Sequence, residues 1–240
     1  FKAHISFIKV DKDSGEMDIA FQLRLPGVNF DLSHAGKGKS HGWFFFSCYN
    51  SEQANTLLEV NASQNDKDFI MAVNWKKAEE YIKAGKGKKQ KVRYAHNTWD
   101  DETHTGKSVI KEEVLVLDAE EMKDVIYLMP CPKSPHGCDV DPTGEYIVGS
   151  GKLAALIPVF SYTKMLAAID KKDFEGDYEG IPVLKYNSVL HGEVQKPGLG
   201  PLHTEFDGKG NAYTTMFVSS EVVKWNIKDL KVLDRKPTYY

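Results

Sequence analysis

A recurring unit constrains this chain most: an apolar, strand-like run that passes directly into a short polar segment with helical spacing. It occurs at residues 69–75 followed by 76–84, 114–118 followed by 119–124, 157–161 followed by 162–170, and 222–226 followed by 227–234. Steps between the units, taken at Trp75, Leu117, Phe160 and Trp225, are 42, 43 and 65 residues. Two of these match the roughly 40–45 residues of a four-stranded propeller blade. The third reads as a blade with an insertion around residues 174–185.

Most of the remaining apolar pattern is also that of strands. Residues 4–10, 43–48, 113–117, 145–149 and 212–218 alternate or run apolar, bounded in many cases by turn chemistry. Asp141-Pro142-Thr143-Gly144 and Asp207-Gly208-Lys209-Gly210 have hairpin-turn composition, because glycine accepts the positive φ such turns require. An antiparallel sandwich would space its strands similarly. The repeated strand-then-helix unit favours an all-β propeller. About four units do not close a typical ring, so the expectation is a partial set of blades with an unsatisfied edge at each end.

Composition removes several classes of function. A formal charge of −3 over 240 residues lacks the clustered basic face of a nucleic-acid binder. The one lysine-dense stretch, residues 83–91, is spaced by glycine and reads as a solvated loop. No run of 18 apolar residues exists, so no membrane span is expected. The chain starts at Phe1 and stops at Tyr240 just after a strand-like segment, which reads as a processed or truncated product. Cys48, Cys131 and Cys138 form no CxxC pair and read as buried structural thiols, not as zinc ligands.

Two of the eight histidines stand out. His136 and His203 occupy equivalent places in two similar units, each ahead of a hairpin turn and the strand after it. In a propeller that end of a blade faces the central channel, so the two imidazoles either converge there as metal ligands or hydrogen-bond within their blades. Copper suits convergent neutral nitrogen donors, and separate blades hold such ligands rigidly. His34, His41, His96 and His104 lie in polar runs and read as solvated loop residues; His191 is undecided. Asp139 and Glu205 are weak candidates to hold the second ring nitrogens of the pair.

At Ser134-Pro135-His136-Gly137-Cys138, the DPTG turn and Ser150-Gly151-Lys152-Leu153, the sequence resembles the nitrous oxide reductase family. The resemblance continues through Gly198-Leu199-Gly200-Pro201-Leu202-His203-Thr204, Phe206-Asp207-Gly208, residues 210–215 and Lys224-Trp225-Asn226. Upstream, residues 47–52 look like the family's tyrosine–glutamate segment. The resemblance implies that residues 1–240 form the middle part, about four blades, of an N-terminal seven-bladed β-propeller. It also implies a tetranuclear copper-sulfide cluster held by seven histidines, of which His136 and His203 are two. The paired histidines and a third ligand should precede Phe1, and two should follow Tyr240. A separate C-terminal cupredoxin domain, with the dinuclear copper electron-entry site, has no match in this chain.

The same resemblance implies a calcium site. Tyr49, Glu52, Val60 (through its carbonyl) and Asp66 match its ligands, with Asp68 an alternative to Asp66, and Ser134 stands where the family has asparagine. Oxygen donors of this kind suit a hard cation. The implied reaction is two-electron, two-proton reduction of nitrous oxide to dinitrogen and water, the last step of denitrification. The implied setting is a periplasmic homodimer fed by a cytochrome c or cupredoxin. Two ligands of seven make the fragment alone inactive. The rival reading is a non-catalytic propeller that binds a partner through its loops.

Overall fold

The computed structural model describes residues 2–49, 68–95, 108–122 and 124–239. In chain order the first strands are β1 (Lys2–Val10), β2 (Met17–Pro26), β3 (Asn29–Ala35), β4 (Trp43–Tyr49) and β5 (Phe69–Asn74). Helix α1 (Trp75–Lys83) follows, then β6 (Lys88–Ala95), β7 (Ser108–Asp118), β8 (Ile126–Pro130) and β9 (Pro135–Val140). Next come β10 (Tyr146–Gly151), β11 (Leu156–Ser161), α2 (Tyr162–Asp170), β12 (Phe174–Tyr178) and β13 (Ile181–Leu184). The chain then passes through the single turn α3 (Tyr186–Val189), β14 (Leu190–Gln195), β15 (Pro201–Phe206), β16 (Asn211–Met216), β17 (Glu221–Asn226) and β18 (Val232–Pro237).

These strands build four sheets, with orders β1-β2-β7-β6, β12-β13-β8-β5-β4-β3, β9-β10-β11-β14 and β15-β16-β17-β18. The last two are antiparallel four-stranded units, as a propeller blade is. The second has the same kernel, β3-β4-β5-β8, extended by the β12–β13 hairpin that pairs parallel to β8. All-β architecture in about four blade-like sheets is therefore observed.

The sheets stack face to face, and each interface is a separate apolar core. Met71 and Val73 of β5 pack toward β2 and β7 with Leu23, Leu25 and Leu117. Their neighbours Ile70 and Ala72 point the other way, into a core with Phe45, Met129, Ile147 and Phe160. Val148 and Val159 face the last sheet with Val223 and Trp225. Successive side chains of a strand point to opposite faces. A sheet covered on both faces therefore needs apolar residues at every position, hence the unbroken runs at 69–73, 147–148 and 156–160.

Two of the strand-to-helix junctions are set by local capping. The Asn74 and Ser161 side chains accept hydrogen bonds from the amides of Lys77 and Lys164, satisfying donors that the first helical turn leaves open. In the β9–β10 hairpin Gly144 has φ 72°, and a Cβ there would stand 1.7 Å from the carbonyl oxygen of Lys37. That turn closes against the loop leaving β3, where the Lys39 amide donates to the Thr143 carbonyl (3.0 Å).

Three sequence expectations need correction. Residues 227–234 are not helical: the Asn226 carboxamide oxygen accepts from the amides of Lys228 and Asp229, turning the chain into β18. The lysine-dense stretch is only partly a loop, since Lys88 and Lys89 lie in β6, paired with β7, their side chains exposed and ion-paired to Glu121 and Glu113. The 42- and 43-residue steps do not run blade to blade. The unit ending at Leu117 belongs to β7, part of an excursion between β5 and β8 into the first sheet. The insertion at residues 174–185 is real, and it is the β12–β13 hairpin.

Candidate metal centre

Strand β9 lies between β3 and β15, so the first strands of three successive sheets run side by side. Each carries a β-bulge at the corresponding place. In β3 the register shifts between Phe30 and Ser33, in β9 around His136, and in β15 between Pro201 and Thr204. A bulge leaves a residue unpaired and re-aims its side chain. The side chains at these three irregularities include Asp31, His136 and His203.

The two histidines that the sequence singles out meet. Their rings lie 5.0 Å apart between centroids, inclined at 69°. His136 Nδ1 is 2.7 Å from Asp31 Oδ2, which is also 3.3 Å from Lys152 Nζ. Asp31 thereby orients the ring and leaves Nε2 as the outward nitrogen. The His136 carbonyl accepts from the Ser47 hydroxyl (2.5 Å). His203 is more open, with 48% of its side chain exposed against 25% for His136. The histidines sit within the first strand of each sheet, not ahead of the strand that lines the convergence.

A third imidazole stands nearby. His34 is not a solvated loop residue but a half-buried member of β3, its Nδ1 accepting from the Val140 amide (3.4 Å). Asp139 lies between His34 and His203, its Oδ1 3.6 and 3.8 Å from their Nδ1 atoms. Its Oδ2 accepts from the Thr204 amide at 2.7 Å. Glu205, by contrast, is exposed and plays no part in this arrangement. The sequence carried no signal for Asp31, which reaches His136 from 105 residues away.

His191 belongs elsewhere, tilted against Tyr146 at 4.8 Å with Nε2 3.2 Å from the Ile227 carbonyl. His41 is exposed beside Trp75. His96 and His104 lie outside the described residues. Cys48, Cys131 and Cys138 are free and buried, and burial pushes all three thiols well above the ordinary range.

Of the expected calcium ligands, Glu52, Val60 and Asp66 lie outside the described residues. Tyr49 ends β4 and Asp68 precedes β5, so continuing the Cys48–Phe69 register sets them opposite one another. Asp68 is buried, and its Oδ2 accepts from the Ser134 amide at 2.7 Å. Ser134 has φ 56°, a left-handed conformation that asparagine also tolerates. Lys152 Nζ lies 5.5 Å from the centroid of the Tyr49 ring.

For copper, the donor set fits in kind. Two imidazoles face one another, and one is braced through its second nitrogen by a carboxylate, the usual arrangement behind a ligating histidine. It does not close a site alone: among the described residues no group of three or more histidine, cysteine or acidic side chains is gathered to hold a metal ion. Nor, among them, is any helix long and apolar enough to cross a membrane.

No protein-family model matches the chain. In fold it is similar to the hydrazine synthase of Kuenenia stuttgartiensis, with a TM-score of 0.50 at 13% identity, over 90% of this chain and 50% of that one. In sequence it is 34% identical over 221 residues to the nitrous-oxide reductases of Pseudomonas fluorescens and Stutzerimonas stutzeri, and 30% identical to that of Ralstonia nicotianae. In each case the match covers 90% of this chain and 29% of the relative. The chain is thus a homologue of the nitrous-oxide reductases along nine-tenths of its own length, and spans 29% of theirs.

Proposed function

We propose that this chain is the middle part, residues 1–240, of the N-terminal propeller of a nitrous-oxide reductase, and that His136 and His203 are two ligands of its copper cluster. The observation that carries the reading is their convergence: bulges in the first strands of two adjacent sheets bring two imidazoles to 5.0 Å. The relatives' name supplies the substrate, nitrous oxide, and its two-electron, two-proton reduction would give dinitrogen and water. The remaining histidine ligands and a dinuclear copper electron-entry domain belong to the rest of a longer protein, so the fragment alone is inactive. The full propeller would have seven blades. The whole enzyme would be a periplasmic homodimer, taking electrons from a cytochrome c or cupredoxin.

Copper, when bound, supplies the two electrons that nitrous oxide takes up. The chain's own residues hold and orient. Asp31 accepts a hydrogen bond from His136 Nδ1–H and so leaves Nε2 free to ligate. Ser47 pins the same residue through its carbonyl, and the Lys152 ammonium balances the Asp31 charge. Beside this, Tyr49 and Ser134 would belong to a calcium site with Glu52, Val60 and either Asp66 or Asp68. The buried Asp68 carboxylate suits a hard cation and stands as the alternative to Asp66.

The test is a copper analysis of the full-length protein with His136→Ala and His203→Ala variants, alongside nitrous oxide consumption driven by a reduced viologen dye. Both variants should lose cluster copper and turnover while keeping their β-sheet circular dichroism. Unchanged copper content in either variant would refute the ligand assignment. A folded wild-type protein that takes up no copper would instead be a non-catalytic scaffold.

A further inference from the structure

We propose that Asp139 is a positioning residue for the His136–His203 pair, a single carboxylate that pins β15 against β9 beside the two imidazoles. The proposal rests on the reading of that pair as metal ligands, and it adds a residue that the reading does not require.

The argument begins with the strand edges. Strand β15 is the first of its sheet, so the backbone groups on its free edge have no ladder partner within that sheet. The Thr204 amide is such a group, and it donates to Asp139 Oδ2 at 2.7 Å, the length of a charge-assisted hydrogen bond. Thr204 adjoins His203 in the chain, so a bond at its amide fixes the backbone that carries the imidazole. On its other side Thr204 is tied inward: its hydroxyl meets that of Thr214 at 2.8 Å, and Thr214 in turn accepts from the buried Trp225 indole at 2.8 Å. His203 is therefore mounted on a residue clamped from both sides, to its own sheet by Thr214 and to the neighbouring sheet by Asp139.

The other carboxylate oxygen faces the convergence at longer range. Asp139 Oδ1 faces His34 of β3 and His203 of β15, so the side chain touches the first strands of all three sheets. Only 13% of it is exposed, so the Thr204 amide is a donor that an enclosed carboxylate needs. The close approach needs space as well. At Gly137, two residues back on β9, a Cβ would stand 2.0 Å from the Leu202 carbonyl oxygen, so the backbones meet where one residue has no side chain. Gly137 admits β15, and Asp139 holds it there. His136 and His203 keep their separation because both strands are set by this pair of residues.

A positioning role separates Asp139→Asn from Asp139→Ala, since the asparagine oxygen still accepts from the Thr204 amide and alanine offers nothing. In the full-length protein, Cu(II) alone is titrated against wild type, both Asp139 variants and His203→Ala, with amide hydrogen exchange at Thr204 followed in the same samples. Asp139→Ala should weaken copper binding about 10–100-fold and release Thr204 exchange. Asp139→Asn should stay within about threefold of wild type and keep Thr204 protected. Undiminished Thr204 protection in Asp139→Ala, or an Asp139→Asn variant as impaired in copper binding as alanine, overturns the proposal. If wild type and His203→Ala bind copper alike, the metal reading fails, while Thr204 exchange still decides whether Asp139 pins the strand.

Discussion

Replacing Gly137 by alanine should open the seam between β9 and β15. The new Cβ would lie 2.0 Å from the Leu202 carbonyl oxygen, against a lower limit of 3.0 Å for real Cβ contacts. The obstacle is backbone on both sides, so neither can rotate away, and the strands must part by about 1 Å or more. The 2.7 Å bond between the Thr204 amide and Asp139 then passes beyond hydrogen-bonding range. Overpacking costs about 1–3 kcal/mol and the lost charged hydrogen bond about 1.5–3 kcal/mol. Strand separation relieves the first at the expense of the second, so a net loss of about 2–4 kcal/mol follows. For a chain of this size that lowers Tm by roughly 5–15 °C. Metal ligation tolerates distance errors of only about 0.2 Å, so the pair should also lose copper. Gly192→Ala is the control, because its Cβ would meet only the flexible tip of Leu230, and it should cost under about 1 kcal/mol. Calorimetry and copper titration of the two variants provide the comparison. A Gly137→Ala protein that melts within a degree of wild type and binds copper normally would refute the close-approach argument.

The Asp31→Ala variant removes the acceptor at His136 Nδ1 and the partner of Lys152, and should lower copper affinity about 10–100-fold in equilibrium titration. Glu145 is pushed up by burial but pulled down further by hydrogen bonds from Ser161, Thr163 and Lys39, which hold it at about 2. Its folded pKa is thus depressed, so its stabilisation is present above the ordinary glutamate value of 4.5 and is lost as pH falls from there toward about 2. Glu145→Gln should therefore cost about 1.5–3 kcal/mol at neutral pH and flatten the acid limb, measured by urea unfolding at a series of pH values. The three cysteines, buried and with raised pKa, should resist a thiol-specific reagent in the native protein and all react after unfolding in guanidinium.

Much of the architecture is legible in local pattern. Alternation and continuous apolar runs mark β4, β5, β10, β11 and β16, because sheet burial on one or both faces demands them. The DPTG and DGKG turns locate the two hairpins that follow the histidine strands. The strand-then-helix pattern locates the two helices that Asn74 and Ser161 cap. The motifs around His136 and His203 likewise single out the two imidazoles that meet, since what distinguishes them is their equivalent place in two repeated units.

Tertiary structure decided the rest, because the deciding contacts run between sheets. Residues 227–234 carry a helix-like pattern, yet the Asn226 side chain and pairing with β17 turn them into a hairpin and strand. Trp75, Leu117 and Phe160 are evenly spaced, yet β7 leaves its neighbours for another sheet, and spacing along the chain cannot say which edge a strand will join. Simple alternation cannot foresee the bulges at Asp31, His136 and His203, where the register of pairing slips. Nothing local distinguishes Asp31, and His34 reads as a loop residue; laying β3 beside β9 gives each a partner. The sequence alone therefore singled out His136 and His203 and missed His34, the third imidazole beside them. Only the packing of three strand edges against one another decided what orients them, since a carboxylate 105 residues away becomes a partner through sheet stacking and not through any local rule.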